Sequence, residues 1–210
     1  MNLLIIGATG GTGRELVAQA LEQGHHVTAF ARNPTAVKIQ HGRLAIAQGN
    51  VLDVASLEKA VQGKDAVLSA LGHKRFVIPS SILSEGTRNI LSAMQKHGVK
   101  RLVCETSLGV ADSWWRLGAY YTLFVIPFIT FFYFHDKGKQ ERLIKESTVD
   151  WTIVRPGRLT NDKKRGIYRH GSNVGHWLLT VSISRADVAE FMLKQLADDN
   201  YQRATVAVAY

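Results

Sequence analysis

No stretch constrains the fold more than the amino-terminal MNLLIIGATGGTGR, Met1 to Arg14. Leu3 to Ile6 form a short apolar run without helical period, the pattern of a strand covered on both faces. Gly7, Gly10 and Gly13 follow at three-residue intervals, and Glu15 to Leu21 (ELVAQAL) reads as an amphipathic helix. A glycine-rich turn between a strand and a helix is the setting in which such a pattern binds a dinucleotide. Gly7 permits the tight turn, Gly10 lets the backbone approach a pyrophosphate, and Gly13 lets helix and strand pack closely. The amides at the helix start then face the phosphates, where the helix dipole favours negative charge. The spacing is GxxGxxG, not GxGxxG.

The 210 residues, 46% of them hydrophobic, suit one domain with a substantial core and leave no length for a separate substrate domain. Lys and Arg number 26 against 17 Asp and Glu, a net charge of +9. These charges are scattered, and the densest cluster, Lys163, Lys164 and Arg165, reads as a solvated loop, so nucleic acid is not an expected partner. The lone Cys104 excludes an intramolecular disulfide and fits a reducing compartment. The chain enters a strand at once, so no signal peptide is expected and the cytoplasm is the expected location. The eight histidines form neither HExxH nor a Cys/His cluster, so no metal is expected. No GxSxG elbow suggests a hydrolase.

His26 to Ala31 reads as the second strand, after a helix stop at Gly24. The residue at the tip of this strand reads the adenosine ribose in a nucleotide-binding βαβ unit, an acid selecting NAD and an Arg accommodating the 2′-phosphate of NADP. Arg32 lies 19 positions after Gly13, near the usual ~20, with no acid nearby. NADP(H) is therefore expected over NAD(H), with Arg14 and Lys38 as further contacts. Leu44 to Gln48 makes a third strand. Asn50 follows as an adenine contact or a plain turn residue, and Asp53 or Ser56 caps a helix through Val61. Asp65 to Ala70 makes a fourth strand, placing Ala70, Leu71 and Gly72 under the cofactor. His73, just beyond, is a substrate contact or an exposed loop histidine.

A helix over Ser80 to His97, stopped by Gly98, leads to a fifth strand, Arg101 to Glu105. Ser107, at the carboxyl end of a central strand, lies where open α/β sheets bind ligands and is a candidate to hydrogen-bond a substrate carbonyl. Leu117 to Phe134 (LGAYYTLFVIPFITFFYF) is anomalous, with 18 uncharged residues, just enough to span a membrane. Spanning would put the fifth and sixth strands of one sheet on opposite sides of a bilayer, and Pro127 interrupts the middle. A lid over an apolar substrate, a subunit interface, and a segment lying on a membrane surface remain. Tyr133 and Lys137, four apart, share a helix face, so that the phenol can donate a proton beside an ammonium. Lys137 can also hold the nicotinamide ribose. Helix through Ser147, a sixth strand over Asp150 to Arg155, a turn at Pro156 to Leu159, a helix capped by Ser184, and an edge strand over Thr205 to Val208 complete the chain.

GATGGTG near the start, ARNP after the second strand, SEGTRNILSAMQKHGVKRLV (84 to 103), DWTIVRPGRLT (150 to 160) and SRADVAEFML (184 to 193) together resemble the atypical short-chain dehydrogenase/reductases. The closest likeness is to the NAD(P)H-binding, NmrA-like group that includes flavin reductase/biliverdin-IXβ reductase. That resemblance implies one doubly wound Rossmann domain, a mostly parallel sheet with helices on both faces and NADPH across its carboxyl edge. By the same resemblance the loop from Gly7 through Thr9, Gly10, Gly11 and Thr12 to Gly13 binds the pyrophosphate, and Arg32 binds the 2′-phosphate. Asn50 and Val51 border the adenine, Leu71 and Gly72 the nicotinamide ribose. Thr106 and Ser107 face the reacting centre, while Pro156 to Arg158 line the far wall. Asn50 stands where that pattern has an Asp. Residues 114 to 134 are far more apolar than in the biliverdin reductase. The Tyr133/Lys137 spacing matches the YxxxK of ordinary short-chain dehydrogenases, but Asp136 to Glu141 (DKGKQE) fits a DKxxQE-like stretch that does not depend on the tyrosine. Lys137 is favoured accordingly. The expected activity is NADPH-dependent hydride transfer to an apolar planar acceptor, flavin- or quinone-like. A dinucleotide-binding redox sensor without turnover and an epimerase- or dehydratase-like enzyme are the alternatives.

Overall fold

Alternation along β1 (Asn2–Ile6) fixes the layering. Leu3 and Ile5 project into one apolar cluster, Leu4 and Ile6 into another, and all four are fully buried. A strand apolar on both faces needs cover on both, and the chain supplies it as helices in two layers. The computed structural model describes residues 1–73 and 76–210. Its main sheet runs in the order β3-β2-β1-β4-β5-β6-β10-β8. The strands are β2 (His26–Ala31), β3 (Leu44–Gln48), β4 (Ala66–Ser69), β5 (Arg101–Glu105), β6 (Asp150–Pro156), β8 (Arg169–Gly171) and β10 (Ala204–Ala209). All neighbours pair in parallel except β10 and β8. A two-stranded parallel ribbon, β7 (Arg158–Thr160) and β9 (Ser182–Ser184), lies apart.

One face carries α1 (Gly11–Glu22) against α6 (Arg185–Lys194). The other carries α2 (Val54–Val61) and α3 (Ile82–Lys96), with α5 (Phe131–Glu146) packed on α3. Asp53 caps α2 by accepting from Ala55 N, and Ser184 caps α6 by accepting from Asp187 N at 3.1 Å. The start of α3 is capped from a distance: the buried Asp136 carboxylate accepts from Leu83 N at 2.9 Å and Ser84 N at 3.3 Å.

Two sequence expectations are corrected. Helix α1 begins at Gly11, four residues before Glu15, because close packing of its first turn outweighs the poor helical propensity of glycine. The strand expected at an edge over Thr205 to Val208 is longer and internal, flanked by β6 and by the antiparallel β8, whose three residues carry no apolar signal. The apolar stretch 117–134 forms no continuous helix. Leu117 bridges to His176, Tyr121–Val125 makes a π-helical turn, and α4 (Ile126–Phe128) holds Pro127 at its start, where a missing N–H is tolerated. No helix among the described residues is long and apolar enough to cross a membrane.

Helix α5 is tied to the sheet by buried polar groups. Glu141 accepts from Arg155 Nε at 2.9 Å and from Thr106 Oγ1 at 2.7 Å, and the same arginine reaches Asp112 at 2.9 Å. Both Glu141 and Arg155 are buried, and these partners hold the guanidinium above its already high ordinary pKa against the opposing effect of burial. Glu141→Ala leaves that cation underpaired, so urea denaturation is expected to show a loss of about 3–5 kcal/mol with an unchanged m-value.

Candidate cofactor and substrate cleft

The strand order reverses between β1 and β4, where open α/β sheets form a crevice at their carboxyl ends. A cleft of about 1040 Å³ occupies this position. Its floor is the turn after β1. Gly7 has φ +78°, and a Cβ there would lie 2.4 Å from the Ala70 carbonyl oxygen. At Gly13 a Cβ would lie 2.0 Å from the Gly7 carbonyl oxygen, so α1 rests directly on the turn. Gly10 occupies the N-cap position of α1 and supplies no side-chain cap. The amides of the first turn therefore remain for a ligand, an anion by preference.

The cleft gathers most of the residues singled out in the sequence. Gly7, Thr9, Gly10, Gly11 and Thr12 line it, with Arg32, Asn50 and Val51 beside them. Ala70, Leu71, Gly72 and His73 come from the end of β4, Thr106 and Ser107 from β5, Pro156 and Arg158 from β6 and β7, and Tyr133 and Lys137 from α5. Gly13 lies beneath the floor, and Arg14 and Lys38 are not among the lining residues. Several side chains are engaged otherwise than expected. The Thr106 hydroxyl donates to Glu141, away from any ligand. Ser107 Oγ donates to the Leu108 carbonyl at 2.8 Å and keeps only its acceptor capacity. Asn50 Oδ1 accepts from Leu52 N at 3.2 Å, an Asx turn.

At the inner end Lys137 is buried, its ammonium 5.2 Å from the Tyr133 ring centre. The Tyr133 hydroxyl lies near Gly72, and its ring meets His73 edge-on at 5.0 Å. Burial alone would lower the lysine pKa, but Tyr133 and Glu105 outweigh it and the net direction is upward, which keeps the ammonium charged. Glu105 was not singled out in the sequence. It ends β5, is buried, and accepts from Thr12 Oγ1 at 3.1 Å. Burial pushes its carboxyl above the ordinary range, against the pull of Lys137, Thr12 and Arg185. Arg185 is the second omission. Its stem passes over Gly11, where a Cβ would sit 2.4 Å from Arg185 Cδ. An acid closing a central strand and an arginine opening a helix were signals present in RLVCE and SRAD. Both occupy positions that solvated charges also favour.

The sequence profile of a family described as NAD(P)H-binding matches residues 7–199. The chain belongs to that family. Among relatives, an uncharacterised chloroplastic protein of Arabidopsis thaliana is 30% identical over 94% of this chain and 72% of its own length. Photosystem II assembly factor Ycf39 of Synechocystis is 31% identical, over 53% of this chain and about a third (35%) of its own. Among solved structures of the same fold, the oxidoreductase ylbE of Lactococcus lactis superposes with a TM-score of 0.84 at 21% identity, covering 99% of this chain and 90% of that one. ChuY, an anaerobillin reductase of Escherichia coli O157:H7, gives 0.80 at 21% identity, covering 99% and 96%. The family's cofactor class fits the cleft. A glycine floor without Cβ atoms, an uncapped helix start and the cations Arg32, Arg158 and Arg185 suit a dinucleotide, and Glu105 is the one acid among the described lining residues.

Gly7→Ala must force alanine to a positive φ against the Ala70 carbonyl. It is expected to abolish measurable NAD(P)H binding by fluorescence titration, while Gly24→Ala (φ +85°, nothing within 4 Å) loses only about 1 kcal/mol of stability. For Glu105 the raised pKa means that the folded state retains a proton the unfolded state has released. Its stability contribution is full below the ordinary carboxyl pKa and is lost as pH rises through the shifted value. Urea midpoints measured across that window are therefore expected to fall for the parent protein relative to Glu105→Gln.

Proposed function

We propose that this chain is an NADPH-dependent reductase that passes hydride to an apolar, planar electron acceptor of flavin or quinone type. The supporting observation is a single cleft with two chemically different ends. One end carries the glycine turn, the uncapped α1 and arginines; the other is walled by Leu117, Tyr121, Tyr133 and Phe134. When bound, the reduced nicotinamide supplies the hydride, and the protein contributes position and a dry surface.

In this reading the amides of Gly11 and Thr12 hold the pyrophosphate, while the Gly10 amide closes the turn on the Gly7 carbonyl at 2.9 Å, and Arg32 holds the 2′-phosphate with a charge-assisted contact that NAD cannot make. Val51 and Asn50 border the adenine. Ala70, Leu71 and Gly72 support the nicotinamide ribose, which the Lys137 ammonium also reaches. Pro156 closes the wall behind the ring. The acceptor lies against Ser107, His73, Arg158 and the aromatic wall, which exclude water from the transfer. Lys137, kept charged by its neighbours, holds a proton beside the Tyr133 hydroxyl for the reduced acceptor, and Ser107 Oγ accepts from it. A flat conjugated acceptor suits the aromatic wall, since reduction of such a molecule needs little acid–base assistance.

Fluorescence titration and NADPH oxidation over a panel of flavins and quinones test the reading. Arg32→Ala is expected to weaken NADPH at least about tenfold while leaving NADH unchanged. An unchanged NADPH/NADH ratio rejects the 2′-phosphate assignment. Tight NADPH binding without turnover on any acceptor rejects the reductase and favours the sensor.

A further inference from the structure

The apolar stretch 117–134 divides its side chains between two environments. Leu117, Tyr121, Tyr133 and Phe134 line the cleft, whereas Phe124 and Phe128 are 58% and 78% exposed. A neighbouring segment adjoins this stretch: His176 N donates to the Arg116 carbonyl and Ala119 N to the Leu178 carbonyl, which sets the segment carrying exposed Trp177 alongside the one carrying exposed Trp114 and Trp115. Three of the four tryptophans are therefore exposed on these adjoining segments, and Trp151 is buried. Across the cleft mouth Phe76 both lines the cavity and is exposed, meeting Tyr133 edge-on at 5.3 Å, and the exposed Val77 and Ile78 follow it. The mouth is framed by apolar surface on both sides.

The charge around this frame is predominantly basic, and exposed Asp112 at its border is paired with Arg155 at 2.9 Å. No carboxylate occurs between Asp112 and Asp136. Helix α5 emerges from exposed Phe131 and Phe132 into a solvent face of His135, Lys139 and Arg142, while its acids Asp136 and Glu141 are buried; exposed Glu146 lies at the far end. Arg116 lies 5.1 Å over the Trp115 ring. Aromatics that bury a ring while keeping a polar edge wet, next to a basic flank, match an anionic lipid interface. A second copy fits poorly, because it would oppose like-charged α5 faces on a chain of net charge +9 and cover the mouth.

We propose that this face docks on an anionic phospholipid bilayer, with Phe124, Phe128 and the exposed tryptophans in the headgroup region and Lys139 and Arg142 on the headgroups. The cleft mouth then opens toward the membrane, and the acceptor is a lipid-soluble quinone that enters without crossing water. This second clause rests on the reductase reading; the docking does not. The step balances as one hydride, two electrons and a proton, from reduced nicotinamide to the quinone, plus one proton from water by way of Lys137, giving quinol and oxidised nicotinamide.

The test is co-sedimentation of the full chain with vesicles of phosphatidylcholine, alone or with a quarter phosphatidylglycerol, followed also by tryptophan emission. Binding is expected to the anionic vesicles, with a blue shift and salt sensitivity. Lys139→Gln and Arg142→Gln are each expected to weaken it about fivefold, and Phe124→Asp with Phe128→Asp at least about tenfold. The last pair, outside the cleft lining, is expected to retain NADPH oxidation with a water-soluble short-chain quinone and to lose it with a long-chain quinone embedded in vesicles. No sedimentation at low salt, binding indifferent to these variants, or a concentration-dependent dimer that the Phe variants dissolve overturns the docking. Turnover of the soluble quinone, measured without vesicles, reports separately on the reductase reading.

Discussion

The contact on which the rest of the structure depends is between two pieces of backbone. Helix α1 lies so close to the turn after β1 that any side chain at position 13 would overlap the Gly7 carbonyl. That approach sets where the helix axis points, and therefore where its unsatisfied amides converge. It also sets the seat of α6, which packs on α1 and carries Arg185 over Gly11. Three glycines, one helix dipole and one arginine are thus a single geometric unit. The nucleotide end of the cleft follows from a close approach that no other residue type permits.

The opposite wall is organised by charge instead. Within DKGKQE, Asp136 caps α3, Gln140 donates to Thr87 at 3.0 Å, and Glu141 grips Arg155. Each draws α5 against the sheet or α3, and their combined effect is to carry Lys137 into the interior. An ammonium would not enter an apolar interior unaided. Here the surrounding polar residues fix the helix first, and Tyr133 and Glu105 then compensate the desolvated charge. The polar residues of α5 are consequently structural, and through their placement of Lys137 they also shape the site.

Much of this was legible in the sequence, and the reasons differ by element. The strands β2, β3 and β5 fell at their sequence-read limits, since short apolar runs bounded by turn residues leave little freedom. The glycine turn was legible because its constraint is steric and local. What escaped depends on distant partners. Glu105 looks like an ordinary strand-end acid until Thr12 and Lys137 are folded against it. Thr106 and Ser107 carry the hydroxyls expected at a reacting centre, yet their hydrogen-bond partners, Glu141 and the Leu108 carbonyl, are visible only in three dimensions. The stretch 117–134 was legible as apolar but not as two-sided, because its π-helical turn and α4 break the period that would have assigned its faces.

Strand β8 carries a consequence for handling this protein. Strand β10 is a run of Ala, Thr and Val whose valines are fully buried, and with an open flank it would be a template for pairing with another chain. Three residues of β8 occupy that flank in antiparallel register, and two of them are Arg169 and His170, polar and exposed. The sheet therefore ends on a short, charged strand that discourages further addition. Loss of those few hydrogen bonds would expose the flank of β10, so three residues at one margin of the sheet, five places from β1 in the strand order, shield an edge that the glycine turn does nothing to protect.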